Sequence, residues 1–150
     1  MTMRLYLDVC CLNRPFDDQS QERIRIESEA VEFILESFER GVHHWVSSTA
    51  VEEEVSRNPD IDQRVRVEAL LKLADERLLL GDSVLEKARS YRGQGIRRFD
   101  ALHVALAECH GCELLLTVDD DLIRKTRSLT PPLRVRVENP ARWLLESGAT

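Results

Sequence analysis

The chain has 150 residues, 43% hydrophobic and 32% charged, with few Gly or Pro; that is the size and composition of one globular domain, residues 1–150, able to bury roughly two thirds of its unfolded surface. Twenty-one basic against 27 acidic residues leave a formal charge of −6, which excludes a protein that grips nucleic acid over a broad basic surface but not a small acidic site with a basic rim. Asp8 interrupts the first apolar run, so no secretory signal or membrane span is expected and the protein reads as cytoplasmic.

The first stretch, Leu5-Tyr6-Leu7-Asp8, reads as a buried strand stopped by a carboxylate. A polar loop over Cys10 to Ser20, broken by Pro15, should come next. Apolar residues at Ile24, Val31, Ile34, Leu35 and Phe38 have helical spacing over Gln21 to Arg40, and Gly41 ends that helix. Trp45 to Ser48 is a second strand, running into a helix over Thr49 to Ser56 with a hydroxyl cap. After the turn at Asn58-Pro59-Asp60, the spacing predicts a helix from Ile61 to Asp75 that buries Val67, Leu70, Leu71 and Ala74.

Leu78-Leu79-Leu80 should form the third strand, ended by Gly81, with a helix from Asp82 or Ser83 to about Tyr91. Beyond Gly93-Gln94-Gly95, Asp100 opens a helix to His110 that is apolar nearly all round, so it packs centrally, and Gly111 ends it. Glu113 to Thr117 is the fourth strand, and a helix begins at Asp119. Leu133 to Val137 alternates as an edge strand does, and Asn139-Pro140 caps the last helix. Strands alternating with helices imply an α/β fold: a three-layer sandwich around a mostly parallel sheet of four to five strands.

The four cysteines raise the question of zinc. Cys10 and Cys11 come after one strand while Cys112 precedes another. A strand length of ~17 Å then separates them, too far for bonds of ~2.3 Å to one ion, and buried, reduced cysteines are expected.

The acids carry the chemistry. Asp8 ends the first strand, Glu54 lies on the helix after the second, and Asp119 stands two residues beyond the fourth. In a parallel sheet all three fall at the carboxyl edge, where ligand sites gather. Asp100 joins them because a helix antiparallel to the strands begins at that edge. Crowded carboxylates repel unless a cation lies between them, and oxygen-only ligands suit Mg²⁺ or Mn²⁺. Glu52-Glu53-Glu54 and Asp119-Asp120-Asp121 each offer three candidates. Helical phase favours Glu54 beside the buried stripe of Ala50, Val51 and Val55, and the Thr-x-Asp spacing favours Asp119. Taken singly, an acid at a helix start is usually a cap. His103, one turn beyond Asp100, could contact that acid or fill a helix interface, the second being the default, and Tyr6 reads as core.

The chain resembles the PIN domain family, and within it the VapC-type ribonuclease toxins. The matching residues are Asp8 after the first strand, Val46-Ser47-Ser48 with Glu54-Val55 beyond it, Asp100 to Ala105, Thr117 to Asp121, and Asn139-Pro140. The resemblance implies a Mg²⁺- or Mn²⁺-dependent endoribonuclease that cleaves RNA phosphodiesters with metal-activated water, as the toxin of a type II toxin–antitoxin pair. Asp8, Glu54, Asp100 and Asp119 would be its catalytic, metal-binding acids, with Asn13, Thr117 and Asp121 as polar supports. Arg14, Arg97 and Arg98 would meet RNA phosphates. RNA, a second copy of the chain in a homodimer, and a small antitoxin would be its partners. One departure is clear: where the family often has a hydroxyl residue after the first Asp, this chain has Val9-Cys10-Cys11.

Two other readings compete. A catalytically silent binding module would keep the fold and lack turnover. A phospho-accepting receiver domain would need an Asp ending the third strand and a Lys ending the fifth, whereas the sequence offers Leu80-Gly81 and Val137-Glu138.

Overall fold

The computed structural model describes residues 2–148. Five parallel strands, β1 (Arg4–Leu7), β2 (His44–Ser48), β3 (Glu76–Leu78), β4 (Leu114–Leu116) and β5 (Arg136–Glu138), form one sheet in the order β3-β2-β1-β4-β5. Among the described residues eight helices flank it: α1 (Val9–Asn13), α2 (Glu22–Glu39), α3 (Thr49–Ser56), α4 (Ile61–Leu71), α5 (Asp82–Gly93), α6 (Arg98–Cys109), α7 (Asp120–Thr126) and α8 (Pro140–Ser147). The α/β sandwich is therefore as expected, and its sheet is wholly parallel.

The central strands are apolar on both faces because helices cover both. Leu5, Leu7 and Leu114 to Leu116 are almost completely buried, each worth roughly 1.5–3 kcal/mol on removal from water. Helix α6 is just as enclosed over Ala101 and His103 to Ala107 and packs against α5 and α3. Two glycines set where helices turn into strands. Gly41 (φ 70°) and Gly111 (φ 67°) take the left-handed conformation after α2 and α6. The next amides, of Val42 and Cys112, bond back to the Ser37 and Ala107 carbonyls, which satisfies the last turn of each helix. Those turns deliver the chain to the start of β2 and β4.

The order β3-β2-β1-β4-β5 places the reversal of winding between β1 and β4. A crevice forms there at the carboxyl ends of the two strands. Leu5 pairs with Leu114 and Leu7 with Leu116, so both strands stop at the same level, and the next residue of each, Asp8 and Thr117, lie side by side.

Several local expectations are corrected. Cys10 to Ser20 is not simply loop: Asp8 caps the short helix α1, and Arg14–Phe16 forms a 3-10 turn. β3 begins two residues before the Leu78–Leu80 run and ends at Leu78, pairing Val46 with Glu76 and Ser48 with Leu78, while Leu79 and Leu80 are exposed. Helix α4 stops at Leu71 rather than Asp75. Cys109 is exposed, although Cys11 and Cys112 are buried as expected. The third and fifth strands end in Leu78 and Glu138, so the Asp and Lys of a receiver domain are missing. Among the described residues no helix is long and apolar enough to cross a membrane.

Candidate active site

Asp8 is 4% exposed and fully engaged. Oδ1 accepts the Val9 amide at 2.8 Å, while Oδ2 accepts the Thr117 hydroxyl at 2.9 Å and the Cys10 thiol at 3.3 Å. The Asp8 amide in turn donates to the Leu116 carbonyl at 2.9 Å, which ties the end of β1 to the end of β4. Cys10 thus stands where a hydroxyl residue was expected. The hydrogen bond with Cys11, burial and the Asp8 charge push its thiol pKa well up, keeping it a neutral donor toward the carboxylate.

Ser48 caps α3 through its contact with the Val51 amide, and this sets the phase that turns Glu54 toward Asp8. Glu54 Oε1 lies 2.7 Å from His103 Nε2, and the same nitrogen is 3.8 Å from Asp8 Oδ1. One ligating atom each of Asp8, Glu54 and His103 lie within 4.8 Å of one another. The other glutamates of the triplet are engaged elsewhere: Glu52 holds Arg77 through both oxygens and Glu53 holds Arg57.

Asp100 sits in the first turn of α6. Burial, then the Asp8, Asp119 and Glu54 charges, with His103 opposing them, push its carboxyl up to about 6. Asp119 caps α7, its Oδ1 accepting the Asp121 and Leu122 amides. It lines one small hollow with Asp100, Arg97 and Lys125. Asp120 is paired with Arg23, and Asp121 with Arg124 and Lys125, so of these three aspartates Asp119 has no cationic partner among the described residues. Asp8 and Glu54 thus meet beside His103, Asp100 and Asp119 share the small hollow, and the charges of Asp8, Asp119 and Glu54 all bear on Asp100.

The remaining predicted residues divide. Thr117 is wholly buried and bonds Asp8, while also accepting the Asp119 amide at 3.2 Å. Asn13 contributes its carbonyl to Gln63 at 3.4 Å, and its side chain forms no hydrogen bond with the acids among the described residues. Arg14 is consumed by Glu27 and Asp17, which removes it from any phosphate-binding rim. Arg97 is exposed at the hollow, whereas Arg98 lies over the Phe99 ring.

Three groups near the acids escaped sequence reading. Cys10 touches Asp8, and His103 and Tyr6 are completely buried yet polar at their tips. Tyr6 Oη is 2.7 Å from both Ser48 Oγ and His103 Nδ1. Periodicity placed Tyr6 and His103 inside correctly, but it carries no information about partners 42 and 97 residues away. For His103, burial lowers the pKa, and the Glu54, Asp8 and Asp100 carboxylates outweigh it, so the net direction is up.

A parallel α/β sandwich with carboxylates gathered at the carboxyl ends of its strands is the class of fold and site that the chain presents. The chain belongs to the PIN domain family, whose model matches residues 5–128 and whose members are generally nucleases. The fold is similar to that of VapBC2 from Rickettsia felis, solved bound to a DNA fragment from its promoter, at 14% identity and a TM-score of 0.58, with 91% of this chain and 98% of that one covered. It is also similar to PAE2754 from Pyrobaculum aerophilum, at 14% identity and a TM-score of 0.55, covering 99% and 91% of the two chains. The search of curated proteins gave no significant match.

Proposed function

We propose that the protein is a divalent-metal-dependent endoribonuclease, the toxin of a type II toxin–antitoxin pair. The observation that carries this reading is the meeting of Asp8 and Glu54 beside His103, ligating atoms within 4.8 Å of one another, next to the hollow that Asp100 and Asp119 line; burial first, and then the Asp8, Asp119 and Glu54 charges, lift the Asp100 carboxyl to about 6. Such a group of oxygen donors fits Mg²⁺ or Mn²⁺, because a cation among them relieves the repulsion that otherwise protonates one acid. Asp8, Glu54, Asp100 and Asp119 would hold the ion. When bound, it supplies charge neutralisation at the phosphate and activation of water.

The chain's own residues do the positioning. Thr117 and Cys10 fix Oδ2 of Asp8, and the caps of α3 and α7 fix the approach of Glu54 and Asp119. Arg97, beside Asp100 and Asp119, would take a phosphate of the substrate. RNA cleavage with Mg²⁺ or Mn²⁺ tests the reading: products should carry 5′-phosphates, and excess EDTA should stop the reaction. Cleavage that persists in EDTA would exclude it.

The likeness to VapBC2 supports a small antitoxin as partner. A homodimer is supported by apolar side chains left in water. Ile61 and Val65, one turn apart on α4, and Leu79 and Leu80 beyond the edge strand β3 are all exposed, the kind of surface an interface covers. Light scattering of the purified chain should give twice the monomer mass, and a strict monomer at high concentration would count against self-association.

A further inference from the structure

We propose that His103 is a positioning residue for Glu54: it donates Nε2–H to Oε1, and Tyr6 and Ser48 behind it fix the ring, leaving Oε2 of Glu54 as the oxygen free for a cation. The inference rests on the functional reading above and concerns how one of its acids is held.

The alternative is that His103 is itself a ligand, since its Nε2 and oxygens of Asp8 and Glu54 lie within 4.8 Å of one another. The hydrogen bonds around the ring disfavour ligation. An ionised carboxylate only accepts, so a contact of 2.7 Å between Nε2 and Glu54 Oε1 requires a hydrogen on Nε2. The imidazolium and the Nε2–H tautomer both supply one. Only the Nδ1–H tautomer, the form able to ligate through Nε2, does not.

The far end of the relay points the same way. Ser48 Oγ already accepts the Val51 amide at 3.1 Å. Tyr6 Oη at 2.7 Å is the acceptor in reach of the Ser48 proton among the described residues, and with that proton placed there the Tyr6 proton goes to His103 Nδ1 at 2.7 Å. Run in this direction, every hydroxyl and ring hydrogen of the relay has an acceptor. Run in reverse, as ligation demands, Nδ1–H donates to Tyr6, Tyr6 donates to Ser48, and the Ser48 proton has no acceptor among the described residues. Tyr6, Ser48 and His103 are each 0% exposed, so water cannot rescue it.

Mn²⁺ is the probe. Calorimetric titration of His103→Leu should show binding weakened about 10- to 100-fold, the usual loss when the partner orienting a ligand is removed. His103→Gln, which keeps an N–H donor, should stay within about threefold of the parent, and Tyr6→Phe should fall between, about three- to tenfold weaker. RNA cleavage should rank the variants in the same order. Electron spin echo spectra of bound Mn²⁺ should show no directly coordinated nitrogen.

A nitrogen coupling, or Mn²⁺ affinity unchanged in both His103→Leu and Tyr6→Phe, would overturn the proposal. Near-UV circular dichroism identifies a variant that fails to fold; if His103→Leu does, an affinity in Tyr6→Phe equal to the parent's overturns it. A parent protein that neither binds Mn²⁺ nor cleaves RNA would remove the nuclease reading and this one together. A parent that does both, beside variants that match it, would remove only the positioning role.

Discussion

Asp8→Asn is expected to reduce kcat/KM for RNA cleavage by at least about a thousandfold, a loss of roughly 4 kcal/mol of transition-state stabilisation, with the fold intact. Asparagine keeps one oxygen to accept the Val9 amide, and the Thr117 hydroxyl and Cys10 thiol, which both donate to Oδ2 of Asp8, can rotate to accept its amide hydrogens. What disappears is the charge at the centre of the acidic group, together with an anionic oxygen for the cation. Thermal melts of the variant should match or slightly exceed the parent's, because one repulsive neighbour of Asp100 is gone. Activity within tenfold of the parent would show that Asp8 is only the cap of α1.

The second large effect concerns Asp100 and its sign depends on pH. The folded protein raises this carboxyl from 3.8 to about 6, so between those values it holds a proton that the unfolded chain has released. Stability linked to the group is therefore greatest below about pH 4 and is lost as pH rises through about 6. The cost of ionisation at pH 8, discounted for the partial exposure of the side chain, is about 1–2 kcal/mol. Asp100→Asn should recover about that much at pH 8 without divalent cation and nothing at pH 4. With Mn²⁺ present the order reverses, because the parent gains stability from the ion and the variant loses a ligand. Urea melts at the two pH values, with and without Mn²⁺, measure this directly. A destabilised variant at pH 8 in EDTA would mean that Asp100 is not crowded by like charge.

How much could be read from the sequence depends on which forces are local. The acids could be placed because strand direction in a parallel sheet assigns each strand end to one edge, and Asp8 and Asp119 needed only that. Glu54 needed helical phase as well, and the pairing of Glu52 with Arg77 and Glu53 with Arg57 now accounts for the other two. Strand β3 was misplaced because its apolar run extends beyond the ladder. Glu76 and Arg77 sit in the sheet by pairing with Arg4 and Glu52 across neighbouring elements, and the hydropathy of the segment does not record those partners. Arg14 looked like a surface cation because its acceptor, the buried Glu27, lies on α2. The relay from Ser48 to Glu54 was invisible for the same reason: its members come from β2, β1, α6 and α3, joined only once the sheet has formed.

The pairing of β1 with β4 has a consequence for when the chain becomes competent during synthesis. Asp8 takes its Thr117 partner from 109 positions downstream, and the strand that brings it cannot dock until it has left the ribosome. Long-range pairing of this kind is slow and late, so on the proposed nuclease reading the growing polypeptide would be inert through most of its translation. Any fragment that stops short of Asp119 should be harmless to the RNA around it, including the message from which it is being read.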